Sequence, residues 1–167
     1  PARAARSRRA REQHLAHYRA HAPGFEQAYV LQSAPQIGVR HARRLKGVAS
    51  VLRSRWPDGT ALADEIGVSP SVSPRFPSIS IPFGALVPQS LDGLLACGRH
   101  VSCDPASHGF MREIPQCWVT GQAAGVAAAL AVQQGVLPRD VDVPTLQRAL
   151  LEQGVVLRAL SASPAAT

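Results

Sequence analysis

The stretch Cys117-Trp118-Val119-Thr120-Gly121-Gln122-Ala123-Ala124-Gly125-Val126-Ala127-Ala128-Ala129-Leu130-Ala131-Val132 carries no charged residue. Its alanines and leucine favour a helix, and no face of that helix is strongly polar. The pattern predicts a helix over residues 116–134 that is buried on most sides. Pro115 suits its first turn, and Gly135 followed by Pro138 ends it. Gly121 and Gly125 stand four apart, hence on one helix face. Each costs about 0.5–1 kcal/mol relative to alanine, a cost that is tolerable where something must approach the backbone closely. Three readings fit this notch: a membrane helix pair, tight packing of helix on sheet, or a flat or phosphorylated cofactor lying against the helix start. The run is short for a membrane span and contains Gln122, which counts against the first.

Upstream lies the unbroken apolar run Leu94-Leu95-Ala96-Cys97, ending at Gly98-Arg99. Such a run predicts a strand buried on both faces, as in the parallel sheet of an α/β fold. A loop with Ser102, His108 and Gly109 follows, then Arg112-Glu113-Ile114-Pro115 and the long helix. Strand, polar loop and bare helix N-terminus is the order in which α/β proteins build ligand crevices, because free amides and the helix dipole favour an anion there.

The remaining elements are read in the same way. Residues 2–20 are rich in Ala, Arg, Gln and Glu and predict a helix, with Leu15 and Tyr18 marking its buried face and His21-Ala22-Pro23-Gly24 stopping it. Tyr29–Leu31, Ile37–Arg40 and Arg43–Val51 read as strands. Residues 53–78, broken by Pro57, Asp58-Gly59, Gly67, Pro70, Pro74 and Pro77, read as a long connection. Ile79-Ser80-Ile81 alternates as a short strand. A last helix starts at the N-cap Asp142 with Pro144 in its first turn, shows Leu146, Ala149 and Leu150 on one face, and ends at Gly154. Residues 159–167 read as a frayed tail.

The chain has 167 residues and a formal charge of +7, with 46% hydrophobic and 17% charged residues. That composition supports a buried core and excludes a disordered charged tail. Residues 1–55 hold twelve basic residues against two acids, and residues 56–167 six against nine. A basic half can mean nucleic acid or anionic lipid, and equally anionic cofactor phosphates or an arginine-rich codon bias. Lys46 is the single lysine, and aromatics total 5%, which argues against a nucleic-acid surface. No run of about 20 apolar residues occurs, so no membrane span is expected. No signal-peptide pattern is present and the first residue is Pro1, which suggests a fragment or a processed chain. Cys97, Cys103 and Cys117 form no C-x-x-C pair and match no zinc spacing. They read as small buried residues in a reducing, cytoplasmic compartment, with no metal.

The combination of Ile81-Pro82-Phe83-Gly84-Ala85-Leu86-Val87-Pro88, Leu94-Leu95-Ala96-Cys97-Gly98-Arg99, Ala106-Ser107-His108-Gly109, Arg112, Pro115-Gln116-Cys117 and Gly121-Gln122-Ala123-Ala124-Gly125 resembles the C-terminal portion of the FAD-dependent oxidoreductases. These are flavoproteins with a two-dinucleotide-fold domain, distantly related to fumarate reductase flavoproteins. Pro23-Gly24-Phe25-Glu26 and Ala34-Pro35-Gln36-Ile37-Gly38-Val39-Arg40-His41-Ala42-Arg43-Arg44-Leu45-Lys46-Gly47 look like the family's middle segment. The likeness covers about 11–157. This chain has Cys97 before Gly98-Arg99 where relatives usually have Ala, Phe83 where Tyr is frequent, and His41 where Glu is frequent. No G-x-G-x-x-G occurs, and the family's acidic ribose ligand is absent too.

The resemblance implies an α/β fold, with residues 1–78 as part of a mixed-sheet substrate or cap domain, 79–157 as the C-terminal part of a Rossmann-like FAD-binding domain, and 158–167 as a tail. It implies FAD as cofactor, hydride transfer between the flavin and a small substrate, and the family's N-terminal FAD-binding portion as partner. Gly98, Arg99, Ser102, Gly109, Pro115, Cys117, Gly121, Gln122, Ala123 and Gly125 would contact the cofactor, with Gly121-Gln122-Ala123 starting the helix that faces it. His108 and Arg112 would sit near the isoalloxazine as catalytic groups, and Arg40 and Arg44 would bind an anionic substrate. Without the pyrophosphate cradle, these residues alone are expected to be inactive. A basic nucleic-acid-binding module and a structural fragment that only pairs with another subunit are the rival readings.

Overall fold

The computed structural model describes residues 2–57, 59–69 and 79–158. The chain divides into two compact units, Pro1–Val39 and Arg40–Thr167.

The first unit is built on helix α1 (Ala2–His21), as its composition predicts. Arg19 and His21 stand in its last turn, where positive charge suits the negative end of the helix dipole. Gly24, with φ +86°, takes the chain out of the helix. Phe25 then folds back so that its ring lies 5.6 Å from that of Tyr18. The expected buried face is absent: Leu15 is half-buried and Tyr18 exposed, because a helix this rich in arginine has too little apolar surface to cover. Tyr29–Leu31 and Ile37–Arg40 form no strand.

The second unit is a mixed helix-and-strand core compatible with an α/β class. Strand β1 (Glu65–Ser69) pairs antiparallel with β2 (Ile79–Pro82), with Gly67 opposite Ile81 and an irregularity between Glu65 and Gly67. Helix α2 (Pro105–Met111) leads into α3 (Ile114–Gln134), and α4 (Val143–Glu152) closes the unit. Ile66, Ile81, Leu86, Met111, Leu146 and Leu150 are fully buried between these elements. Each such side chain contributes about 1.5–3 kcal/mol of hydrophobic stabilisation. Helix α3 contributes the narrow stripe Ala123, Ala127 and Ala131, four residues apart and all buried. Gly67 makes that approach possible: a Cβ there would lie 2.3 Å from a Val119 methyl.

Asp142 caps α4 by accepting from the Thr145 amide at 2.9 Å. Asp104 caps α2 the same way through Ser107 at 2.6 Å. Buried Glu65 is held by the Ser80 hydroxyl, the Arg158 amide and the Arg158 guanidinium at 3.3 Å.

Helix α3 forms, but it is not buried on most sides: Ile114, Trp118 and Val132 are 64%, 72% and 84% exposed. Leu94–Cys97 is not a strand; it crosses the surface with Leu94 and Cys97 exposed and one backbone bond, from the Ala96 amide to Leu86. Cys97 is therefore not a buried cysteine, whereas Cys103 is. The Arg43–Val51 segment makes isolated bridges only, at Gly47 and Val51. β1 lies inside the stretch read as a connection, and α2 inside the stretch read as a loop. The boundary expected at residue 78 falls between two paired strands, and the units divide after Val39 instead. The expectations for residues 70–78 and 159–167 lie outside the described residues. No described helix is long and apolar enough to cross a membrane.

Candidate functional site: a cationic histidine pair at the Gly98 turn

The site is organised by the 3-10 turn Gly98–His100. Gly98 sits at φ +67°, a conformation other residues adopt only under strain. Three neighbours tie the turn down. The Gly98 amide donates to Thr120 Oγ1 of α3 at 2.9 Å. The Arg99 carbonyl meets His108 Nε2 of α2 at 3.2 Å. The His100 carbonyl accepts from the Leu45 amide at 2.7 Å. Three segments of the chain thus meet here because each satisfies one backbone group of a short turn.

His108 is 2% exposed, and its Nδ1 lies 2.8 Å from Nε2 of the exposed His41. The two rings meet edge to face, with centroids 3.9 Å apart. Burial pushes the His108 imidazole below its ordinary range; the Arg99 carbonyl opposes this, and His41, Arg44 and Arg112 push the same way as burial. Arg44 also acts on Cys103, whose thiol burial raises to about 11. Arg112 ends α2 and pairs with Glu113 at 3.4 Å. Arg99 draws down the Cys117 thiol, which burial raises. The result is a cluster of His41, Arg44, Arg99, His108 and Arg112. Two neighbouring acids are engaged: Glu113 pairs with Arg112, and Asp104 accepts from the Ser107 and Arg53 amides. Burial works against the Asp104 carboxylate, yet those amides hold it below the usual range. The cluster can hold an anion and pass a proton.

Among the residues expected at a site, Gly98, Arg99, His108, Arg112, Cys117 and Arg44 come together. A Cβ at Gly98 would lie 3.7 Å from Cys117 Sγ. Others do not join them as expected. Helix α3 starts at Ile114, so Gly121, Gln122 and Ala123 lie two turns inside it rather than at its amide end. Ala123 is fully buried in the core, and Gln122 bonds Gln153 at 2.9 Å on the surface. Gly121 and Gly125 meet nothing, so the tight-packing reading of that notch is set aside; the glycine that lets helix and sheet approach is Gly67. The Ser102 hydroxyl is buried and bonded to Ser50. Gly109, Pro115 and Arg40 are exposed. His41 was missing from the expected site residues. Its partner lies 67 positions away, and no local pattern announces such a pair.

A family model described as FAD dependent oxidoreductase matches residues 1–150. No curated protein and no solved structure matches the chain. A match that runs from the first residue into α4 includes the whole histidine cluster, and it shows that the chain belongs to the FAD-dependent oxidoreductase family, whose members are FAD-dependent flavoproteins.

Proposed function

We propose that this chain is the C-terminal portion of an FAD-dependent oxidoreductase and faces a small anionic substrate with the cationic cluster at the Gly98 turn. The observation that carries the reading is the gathering of His41, Arg44 and Arg112 about His108, whose Nε2 bonds the Arg99 carbonyl of that turn, with Glu113 already engaged by Arg112.

The residues present fit part of the cofactor. The Glu113 side chain makes no cap bond, so the first amides of α3 carry no side-chain partner from it. Gly98, Arg99, Pro115 and Cys117 border that helix start and would hold the flavin end, with Gly121, Gln122 and Gly125 along the same helix. The sequence contains no G-x-G-x-x-G to grip a pyrophosphate. That grip is assigned to an N-terminal portion of the complete protein, in a Rossmann-like domain that part of the second unit would complete. FAD, when bound, supplies hydride transfer.

The chain's own part is to bind, orient and manage a proton. Arg44 and Arg112 bind the anionic group of the substrate, each guanidinium offering paired donors. Arg40 extends the same positive surface. The neutral His108 ring, fixed by the Arg99 carbonyl, keeps the histidine pair in place.

The complete protein is expected to purify yellow, and its KM for an anionic substrate is expected to rise about tenfold or more in Arg44→Ala and Arg112→Ala, with flavin content unchanged. A colourless protein that refuses added FAD contradicts the reading. The 167 residues alone are expected to bind FAD weakly and to turn over nothing. Tight binding by them contradicts the assignment of the pyrophosphate grip to another segment.

A further inference from the structure

We infer that His41, through its Nδ1, is the proton-carrying residue of this site and that His108 is a positioning residue; this rests on the flavoprotein reading above. The inference follows from donor and acceptor chemistry along one chain of atoms. A carbonyl oxygen can only accept, so His108 Nε2, 3.2 Å from the Arg99 carbonyl, carries a hydrogen. Neutral His108 then has its lone pair on Nδ1, and that atom accepts from His41 Nε2 at 2.8 Å. Both ring nitrogens of His108 are consumed, and its ring is buried. It has no atom left to exchange a proton with a substrate.

His41 is in the opposite condition. Donating through Nε2 fixes its neutral form with the lone pair on Nδ1. The residue is exposed, and Nδ1 has no hydrogen-bond partner among the described residues. The sequence of groups is carbonyl, buried imidazole, exposed imidazole, which is the logic of an oriented base whose orienter fixes tautomer and ring direction. When bound substrate gives up a proton, its X–H bond breaks, the Nδ1–H bond forms and the electron pair stays on X. The resulting imidazolium keeps its Nε2–H bond to neutral His108 and later releases the Nδ1 proton to water.

The charged side chains acting on His108 are Arg44, from the segment that carries His41, and Arg112, from the end of α2, where it pairs with Glu113; Arg99 contributes its backbone carbonyl.

Nitrogen-15 NMR on the chain tests the geometry without any turnover. Both histidines are expected as the Nε2–H tautomer, with a coupling across the hydrogen bond between His41 Nε2 and His108 Nδ1. Carbethoxylation is expected to modify His41 and spare His108. A hydrogen on His108 Nδ1, or modification of His108 with His41 spared, overturns the inference. In the complete FAD-loaded protein, His41→Gln is expected to lower kcat about 100-fold with KM and flavin absorbance retained. His108→Gln, which keeps the buried volume polar, is expected to lower kcat about tenfold and to let His41 populate both tautomers. Wild-type kcat in His41→Gln overturns the inference while leaving the flavoprotein reading intact. A colourless protein with the histidine coupling present overturns the flavoprotein reading and the substrate-facing role with it.

Discussion

At the scale of single residues, His108 couples the site to stability. Burial, and then His41, Arg44 and Arg112, favour its neutral form against the Arg99 carbonyl. An unfolded chain takes up this proton more readily, near the ordinary histidine value of about 6.5. The stabilisation is therefore complete above about pH 6.5 and is lost as the pH falls below it toward the lowered folded value. The urea midpoint of the wild-type chain is expected to drop over that window, and that of His108→Gln to stay flat. The lowered carboxyls of Asp104 and Asp142 act in a separate window, because their contribution is lost only as the pH falls through and below about 3.9. A wild-type midpoint that holds steady down to about pH 5 contradicts this account. Glu65 gives a second residue-scale expectation. Its side chain is fully buried beside Arg158, so Arg158→Ala leaves a carboxylate poorly compensated. Denaturant unfolding is expected to show a loss of about 3 kcal/mol, and a loss under about 1 kcal/mol counts against the pairing as drawn.

At the scale of elements, glycines separate packing from open surface. A Cβ at Gly47 would lie 2.8 Å from the Ala49 carbonyl and 2.9 Å from the Gly84 carbonyl, both backbone atoms that cannot rotate away. Gly47→Ala is expected to cost about 2–3 kcal/mol in chemical denaturation. Gly121 sits inside α3 with open space around it, so Gly121→Ala is expected to raise stability by about 0.5–1 kcal/mol. The reverse order of the two effects contradicts the packing described. The contrast also marks what could be read from sequence. α3, α4 and α1 were legible because a helix satisfies its own backbone, and its composition and caps are local. The strands expected at Tyr29–Leu31, Ile37–Arg40, Arg43–Val51 and Leu94–Cys97 fail because a strand exists only with a partner, and short apolar runs do not name one. β1 was hidden for the same reason: the glycine at its centre reads as a breaker, while its real part is to admit Val119.

At the scale of the whole molecule, the family was legible from motifs, and the site only in part. Gly98, Arg99, His108 and Arg112 lie within one short span of sequence and were legible together. His41 was not, because the Gly98–His100 turn brings it to His108 through backbone bonds that no spacing reveals. The extent of burial along α3 was overestimated because an uncharged helix need not be covered on every side, as its open face at Trp118 and Val132 shows. The cluster around the Gly98 turn is proposed to face the flavin and its substrate. Diffraction from crystals of the complete FAD-loaded protein tests it most directly. The isoalloxazine is expected beside Arg99, the first turn of α3 and the His41–Arg112 cluster; a flavin seated away from all of them contradicts the claim.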